Sequence, residues 1–260
     1  MNRTNAWYKV FSKKNNPYLL RSYGVLKKYS NFDYKKISYE LSKIIFKSNK
    51  AFFKDFLDLI INKLDLNKKN KKKSNISVAE YGSGNGFILY YLQNKFNLNK
   101  VYSYEIVNSY LNFQKKIIKN GKFYLVKKKN TSINLINNAV DFFIISSVLQ
   151  YKMNLIQTKK ILTEFVRTSK KGILILDIYN SKTKEQYLSE KIKSLKTSPS
   201  KFEEKYKNTP YLFYNKKFFN FLYRLKKVNE LIYFNMPLNW RYRRFVYCLF
   251  IKLKKEKYKL

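Results

Sequence analysis

Glu80-Tyr81-Gly82-Ser83-Gly84-Asn85-Gly86 lies between the apolar run Ile76-Ser77-Val78-Ala79 and the helix-forming run Phe87-Ile88-Leu89-Tyr90-Tyr91-Leu92, and this junction decides the fold. It reads as a strand, a glycine turn and a helix start. Glycines at alternate positions reach backbone angles closed to other residues and leave no side chain between the chain and a ligand. The first turn of the following helix offers N–H groups without intrahelical partners. Such a turn suits a nucleotide-like ligand. The dinucleotide fingerprint G-x-G-x-x-G would need glycine at position 87, which is Phe87; the spacing here is G-x-G-x-G.

Working outward, Val101-Tyr102-Ser103-Tyr104-Glu105 reads as a second strand ending in an acid. In doubly wound nucleotide sites a carboxylate about 20 residues beyond the glycine turn accepts hydrogen bonds from ribose hydroxyls. With Glu80 two residues ahead of the first glycine, E-x-G-x-G-x-G resembles motif I of the Rossmann-like, seven-strand class I methyltransferases that use S-adenosylmethionine (SAM). The resemblance implies SAM as cofactor, held around Glu80, Gly82, Ser83, Gly84 and Gly86, with Glu105 on the ribose and Ser146 at the end of strand four. The family often places an acid after strand three for the adenine amino group. Here Lys127-Lys128-Lys129-Asn130-Thr131-Ser132 has none. Asn130 is the candidate substitute, since its carbonyl can accept from an exocyclic amine, and a plain turn residue is the alternative.

The remaining pattern alternates strand and helix. Val107, Tyr110, Leu111, Ile117 and Ile118 share a helical face that Gly121 ends, and Phe123 to Val126 make strand three. Asp141 to Ser146 is strand four, Leu155 to Val166 carries the next apolar stripe, and Ile173 to Ile178 is a buried strand five. A helix bearing Phe218, Phe219, Leu222 and Leu225 precedes strand candidates Leu231 to Phe234 and Phe245 to Ile251. The expected fold is α/β, a doubly wound Rossmann-like sheet, mostly parallel. The resemblance, covering roughly residues 75 to 255, adds that strand seven is antiparallel and inserted beside strand five.

Chemistry is sought where strand four ends, at Ser146-Ser147-Val148-Leu149-Gln150-Tyr151. Methyltransferases acting on the amino groups of nucleic-acid bases usually carry a proline-containing element there, but no proline occurs between Pro17 and Pro199. Cytosine C5 methylation needs a nucleophilic cysteine, and the single Cys248 sits in an apolar run where a packed thiol is expected. The chain has no histidine, which removes the commonest general base and every imidazole–metal scheme; no metal is expected. The candidate bases are Tyr151 after strand four and Asp177 or Tyr179 after strand five. Packing is the alternative for the tyrosines, and capping of the next helix with Ser181 is the alternative for Asp177. In-line methyl transfer from a sulfonium is largely a positioning task and can proceed without a base.

Lys and Arg number 55 against 16 Asp and Glu, a formal charge of +39. Such a balance ordinarily announces a polyanion partner. Lysine is spread along almost every segment, however, and Lys, Asn, Ile, Phe and Tyr are the residues an AT-rich genome enriches. One cluster is less diffuse: Trp240-Arg241-Tyr242-Arg243-Arg244-Phe245 interleaves arginine with aromatics. Arg241 and Arg243 are read as substrate contacts, with a solvated hairpin as the equal alternative.

Residues 1–73 form an N-terminal helical cap and basic linker, with Tyr39, Leu41, Ile44, Phe52, Phe56 and Ile60 in helical groupings. Residues 74–260 form the SAM-binding domain, with a lid-like insertion near 181–214. No apolar run long enough to span a membrane and no signal-peptide pattern is read, and a cytoplasmic location is expected. The expected function is methyl transfer to an O or N atom of a small-molecule or sugar-type acceptor. The alternatives are an RNA methyltransferase working through the basic surface and a catalytically inactive polyanion-binding protein of the same fold.

Overall fold

A computed structural model describes residues 16–29, 33–46, 49–67, 74–126, 133–151, 154–207 and 211–254. Asn130 lies outside the described residues. Strand β1 (Ser74–Tyr81) leads through the glycine turn into helix α4 (Phe87–Phe96). There follow β2 (Leu98–Glu105), α5 (Asn108–Ile117), β3 (Gly121–Leu125), β4 (Val140–Ser146), α6 (Leu155–Thr168), β5 (Ser169–Tyr179), β6 (Val228–Phe234) and β7 (Val246–Leu253). Ahead of β1 stand α1 (Pro17–Tyr29), α2 (Tyr34–Phe46) and α3 (Lys50–Lys63); α7 (Lys184–Ser194) and α8 (Pro199–Tyr206) fill the segment after β5.

The seven strands run in the order β3-β2-β1-β4-β5-β7-β6. The first five pair in parallel, while β7 runs antiparallel to both β5 and β6. Every residue of β4 is buried, as an apolar strand covered on both faces must be. One face carries a core shared by α1 to α5 and α7, in which Leu41 and Phe56 of the cap meet Phe87, Leu89 and Leu92 of α4. The other is covered by α6 and by a nine-residue 3-10 helix, Lys216–Arg224, through Ile161, Phe165, Phe219 and Leu222. The cap therefore shares the main core.

The structure shifts two sequence expectations. The apolar stripe at 218–225 predicts an α-helix; the chain instead makes the Lys216–Arg224 3-10 helix, started by the Asn215 side chain accepting from Phe218 N–H at 2.8 Å. Gly121 does not end α5: the left-handed turn falls on Asn120 (φ 55°), and Gly121 opens β3, where a Cβ would come within 2.7 Å of the Phe123 ring.

Candidate functional site

Strand order reverses between β1 and β4, and in open α/β sheets ligands bind outside the carboxyl ends of the strands at such a switch point. Pairing of Tyr81 with Ile145 brings the glycine turn beside the end of β4. Gly82, Gly84 and Gly86 take φ of 72°, 54° and 73°, angles that side chains rarely adopt. A Cβ on Gly82 would come 2.4 Å from Val148 Cγ2, so the close approach of the two strand ends also requires glycine there. At Gly84 a Cβ would meet only Ile45 Cδ1, at 3.9 Å; this position opens toward the cap and leaves room for a ligand. The N-cap residue of α4 is Gly86, which has no side chain to offer, and Asn85 Oδ1 accepts from Phe87 N–H at 3.4 Å.

Two buried carboxylates flank the turn. Glu105 Oε2 accepts from Gly84 N–H at 2.8 Å, and its Oε1 accepts from Ile106 and Val107 N–H at 2.8 and 3.1 Å. Glu80 Oε2 is buried without a hydrogen-bond partner. Burial, followed by the neighbouring charge of Glu105, pushes the Glu80 carboxyl well above the usual range; the N–H of Leu89 works against that shift. Burial also raises Glu105 against the pull of its three N–H donors. Two buried carboxyls thus lie under one loop, one with a bare oxygen. A bound SAM would meet the bare Glu80 oxygen and Glu105, the expected ribose contact, beside a Gly84 that carries no side chain.

Ser83 plays a different part from the one its motif position suggests. Its hydroxyl turns inward, 2.7 Å from Ser103 Oγ and accepting from Gln114 Nε2 at 2.9 Å. Gln114 Nε2 also donates to the Gly84 carbonyl at 2.6 Å. This buried network braces the turn from below. Asn85, fully buried, braces it from above by donating to the Leu41 carbonyl at 3.0 Å, tying the turn to the cap. Gln114 and Asn85 carry no motif signal, because their role depends on contacts distant in sequence.

The ends of β4 and β5 form the second half of the site. Ser146 Oγ is buried without a hydrogen-bond partner at the end of β4. Ser147 (φ 53°) and Asp177 (φ 59°) both take left-handed backbone conformations, which cost side chains other than glycine about 1–2 kcal/mol each. They are joined by Ser147 Oγ donating to Asp177 Oδ2 at 2.7 Å, and Trp240 Nε1 donates to Asp177 Oδ1 at 3.2 Å. Burial raises the Asp177 carboxyl from 3.8 to about 6 against these two donors. Asp177 is therefore no helix cap; Asn180 starts the following turn by accepting from Lys182 N–H. Burial pushes the Tyr151 hydroxyl up, with the charge of Asp177 adding to it.

The arginine cluster divides. Arg243 Nε donates to the Met236 carbonyl at 3.0 Å and closes the β6–β7 hairpin, Arg244 pairs with Glu190, and Arg241 is exposed over the Tyr242 ring. Trp240, which the sequence offers only as part of a basic patch, instead stacks on Phe52 of the cap at 5.0 Å and reaches Asp177. A separate cleft of about 510 Å³ at the opposite ends of β2 and β3, lined by Lys100, Lys122 and Leu135, holds none of these residues. Among the described residues no group of acidic or cysteine side chains could hold a metal ion.

Residues 79–176 match the family described as a methyltransferase domain. No curated protein matches the chain by sequence. Among solved structures, magnesium protoporphyrin IX methyltransferase from Synechocystis PCC 6803 with bound S-adenosylhomocysteine (SAH) is 11% identical, with a TM-score of 0.59, over 98% of this chain and 100% of that one. Geranyl diphosphate C-methyltransferase from Streptomyces coelicolor A3(2) is 10% identical, with a TM-score of 0.60, over 98% and 99% of the two chains. The plantazolicin methyltransferase BpumL is 13% identical, with a TM-score of 0.53, over 92% and 97%.

Proposed function

We propose that this chain, a class I SAM-dependent methyltransferase, passes its methyl group to an oxygen or nitrogen atom of a small-molecule or sugar-type acceptor. One observation carries the reading: the cap borders the glycine turn, through Asn85 to Leu41 and through Ile45 near Gly84, so that cap side chains stand beside the crevice. The acceptors named for the structural neighbours, a porphyrin, geranyl diphosphate and a plantazolicin analogue, agree with the small-molecule part of it, while the geranyl diphosphate enzyme is named for transfer to carbon. No described helix is long and apolar enough to cross a membrane, and we place the enzyme in the cytoplasm. Residues 74–260 are taken as the catalytic domain and 1–73 as its cap.

In this reading Glu80, the Gly82–Gly86 backbone and Glu105 hold SAM, which when bound supplies a methyl group on a cationic sulfur. The protein's part is to fix the acceptor in line and to exclude water. Asp177 and Tyr151 stand where the acceptor proton must leave. With its carboxyl near 6, Asp177 is ionised at neutral pH and can take that proton. The test is calorimetric titration with SAM and SAH, followed by transfer from labelled SAM to small amines and alcohols and to total RNA across a salt series. Label in small molecules supports the reading; label confined to RNA, with an affinity falling steeply with salt, would replace it with RNA methylation. Absence of SAM and SAH binding by the folded protein would leave a polyanion binder.

A further inference from the structure

We propose that the acceptor is an amine, taken as a cation by Asp177 and a wall of tyrosine rings at the open ends of β4 and β5. This deepens the small-molecule reading and rests on it. The two groups that hydrogen-bond Asp177, the Ser147 hydroxyl and the Trp240 indole, are neutral, so they fix the carboxylate without cancelling its charge. Among the described residues Asp177 makes no ion pair, in a chain with 55 basic side chains. Lys191 is felt only at a distance, and its ammonium lies 5.3 Å over the Tyr242 ring. A buried carboxylate left without a counter-charge repels anionic acceptors and selects cations.

The nearby end of β5 is rich in tyrosine. Tyr179 follows Asp177 by two residues at the end of β5 and belongs to a cluster of tyrosine rings. The rings of Tyr179 and Tyr187 stand 4.7 Å apart, and Tyr211 meets Tyr151, Tyr179 and Tyr187 at 6.0, 5.6 and 6.1 Å. Ring faces around a carboxylate are the chemistry that recognises an ammonium ion, by attraction to the π quadrupole and to the formal charge together. In the transfer, the bound ammonium first loses one proton to the Asp177 carboxylate and on to solvent. The freed nitrogen lone pair then forms the C–N bond as the C–S bond breaks, its electron pair staying on sulfur.

The matched pair n-hexylammonium and n-hexanol tests this, titrated calorimetrically in the presence of SAH. The ammonium should bind at least tenfold more tightly than the alcohol at pH 7.5. That preference should shrink toward pH 5 as Asp177 takes up a proton, vanish in Asp177→Asn and return in Asp177→Glu. Asparagine tolerates the left-handed backbone of position 177, so the variant is expected to fold; Tyr211→Leu, away from that strain, should lower the preference independently. Equal binding of amine and alcohol overturns the proposal. So does an Asp177→Asn variant that loses SAM but not SAH affinity, which would assign the carboxylate to the sulfonium. Methylation of hydroxyl acceptors with amines inert overturns the amine while sparing the methyl-transfer reading. Failure of folded wild type to bind either SAM or SAH overturns that reading itself, and the amine-to-alcohol comparison still separates the two.

Discussion

The two halves of the crevice are built on opposite plans. The half after β1 and β2 is made largely of backbone: three glycines at positive φ, a helix start with glycine at its N-cap, and a carboxylate that accepts three main-chain N–H groups. The half after β4 and β5 is made of side chains drawn from distant segments: Ser147, Asp177, Trp240 of the hairpin, and through Trp240 the cap residue Phe52. A backbone site can serve one ligand across many sequences because few side chains specify it. A side-chain site can be rebuilt without touching the fold. That difference explains how one architecture holds a constant cofactor and serves unlike acceptors.

The largest effect is expected on the backbone side. Gly84→Arg directs a long cation into the one open face of the turn, so SAM binding should fall more than 100-fold, about 2.7 kcal/mol or more. Circular dichroism and thermal melting should show a folded protein destabilised by roughly 1–2 kcal/mol, the cost of a left-handed side chain. SAM affinity within tenfold of wild type would mean that the ligand lies elsewhere.

On the side-chain half, Trp240→Ala should cost about 2–3 kcal/mol of stability, somewhat under the usual range for a core tryptophan because the indole is only partly buried. Trp240→Phe separates packing from hydrogen bonding: the stack on Phe52 is retained and one donor to Asp177 is lost, for about 1 kcal/mol. Since that donor lowers the Asp177 pKa, its loss should move the acid limb of the pH–rate profile to higher pH. An unchanged limb in the Phe variant would remove Asp177 from the proton path.

Asp177→Asn makes the contrast thermodynamic. The folded carboxyl titrates near 6 and the unfolded one near 3.8, so the native state binds the extra proton and wild-type stability falls as pH rises between those values. The ionised aspartate therefore destabilises the fold at pH 7.5. Asparagine should raise stability there by about 1–2 kcal/mol, less than the full linkage value because one acceptor is weakened. The gain should fade as pH drops through 6 toward 4 in parallel denaturant titrations. A variant less stable than wild type at pH 7.5 would show the carboxylate to be structural, and the comparison of the two halves would lose its functional side.

Legibility follows the same division. The glycine turn, Glu105, the alternation of elements and the antiparallel last strand were readable because they are encoded locally, as spacing and hydrophobic period, or follow from the family that motif I resembles. The 3-10 form of Lys216–Arg224 was not, because its apolar spacing also fits an α-helix. Ser147 and Asp177 bond across adjacent strand ends, and neither their left-handed conformations nor the indole of Trp240 leaves a trace in composition or period. Trp240 was hidden in the Trp240–Phe245 stretch by the arginines around it, whose charge drew the reading toward substrate contacts by Arg241 and Arg243.

Those arginines supply the smallest effect and a sharp discriminator. Arg241 is exposed, and its only described contact is the Tyr242 face at 5.4 Å, an arrangement worth a few tenths of a kcal/mol in water. If the acceptor side selects cations through Asp177 and the tyrosine rings, Arg241→Ala should leave stability within about 0.5 kcal/mol. The KM for an amine acceptor should then stay within twofold. If an anionic sugar or phosphate is held there instead, the same substitution should raise KM about tenfold or more with kcat little changed, because an exposed arginine contributes to ground state and transition state alike. Steady-state kinetics of that single variant thus decides which end of the hairpin, the indole turned inward to Asp177 or the guanidinium turned outward, belongs to the acceptor.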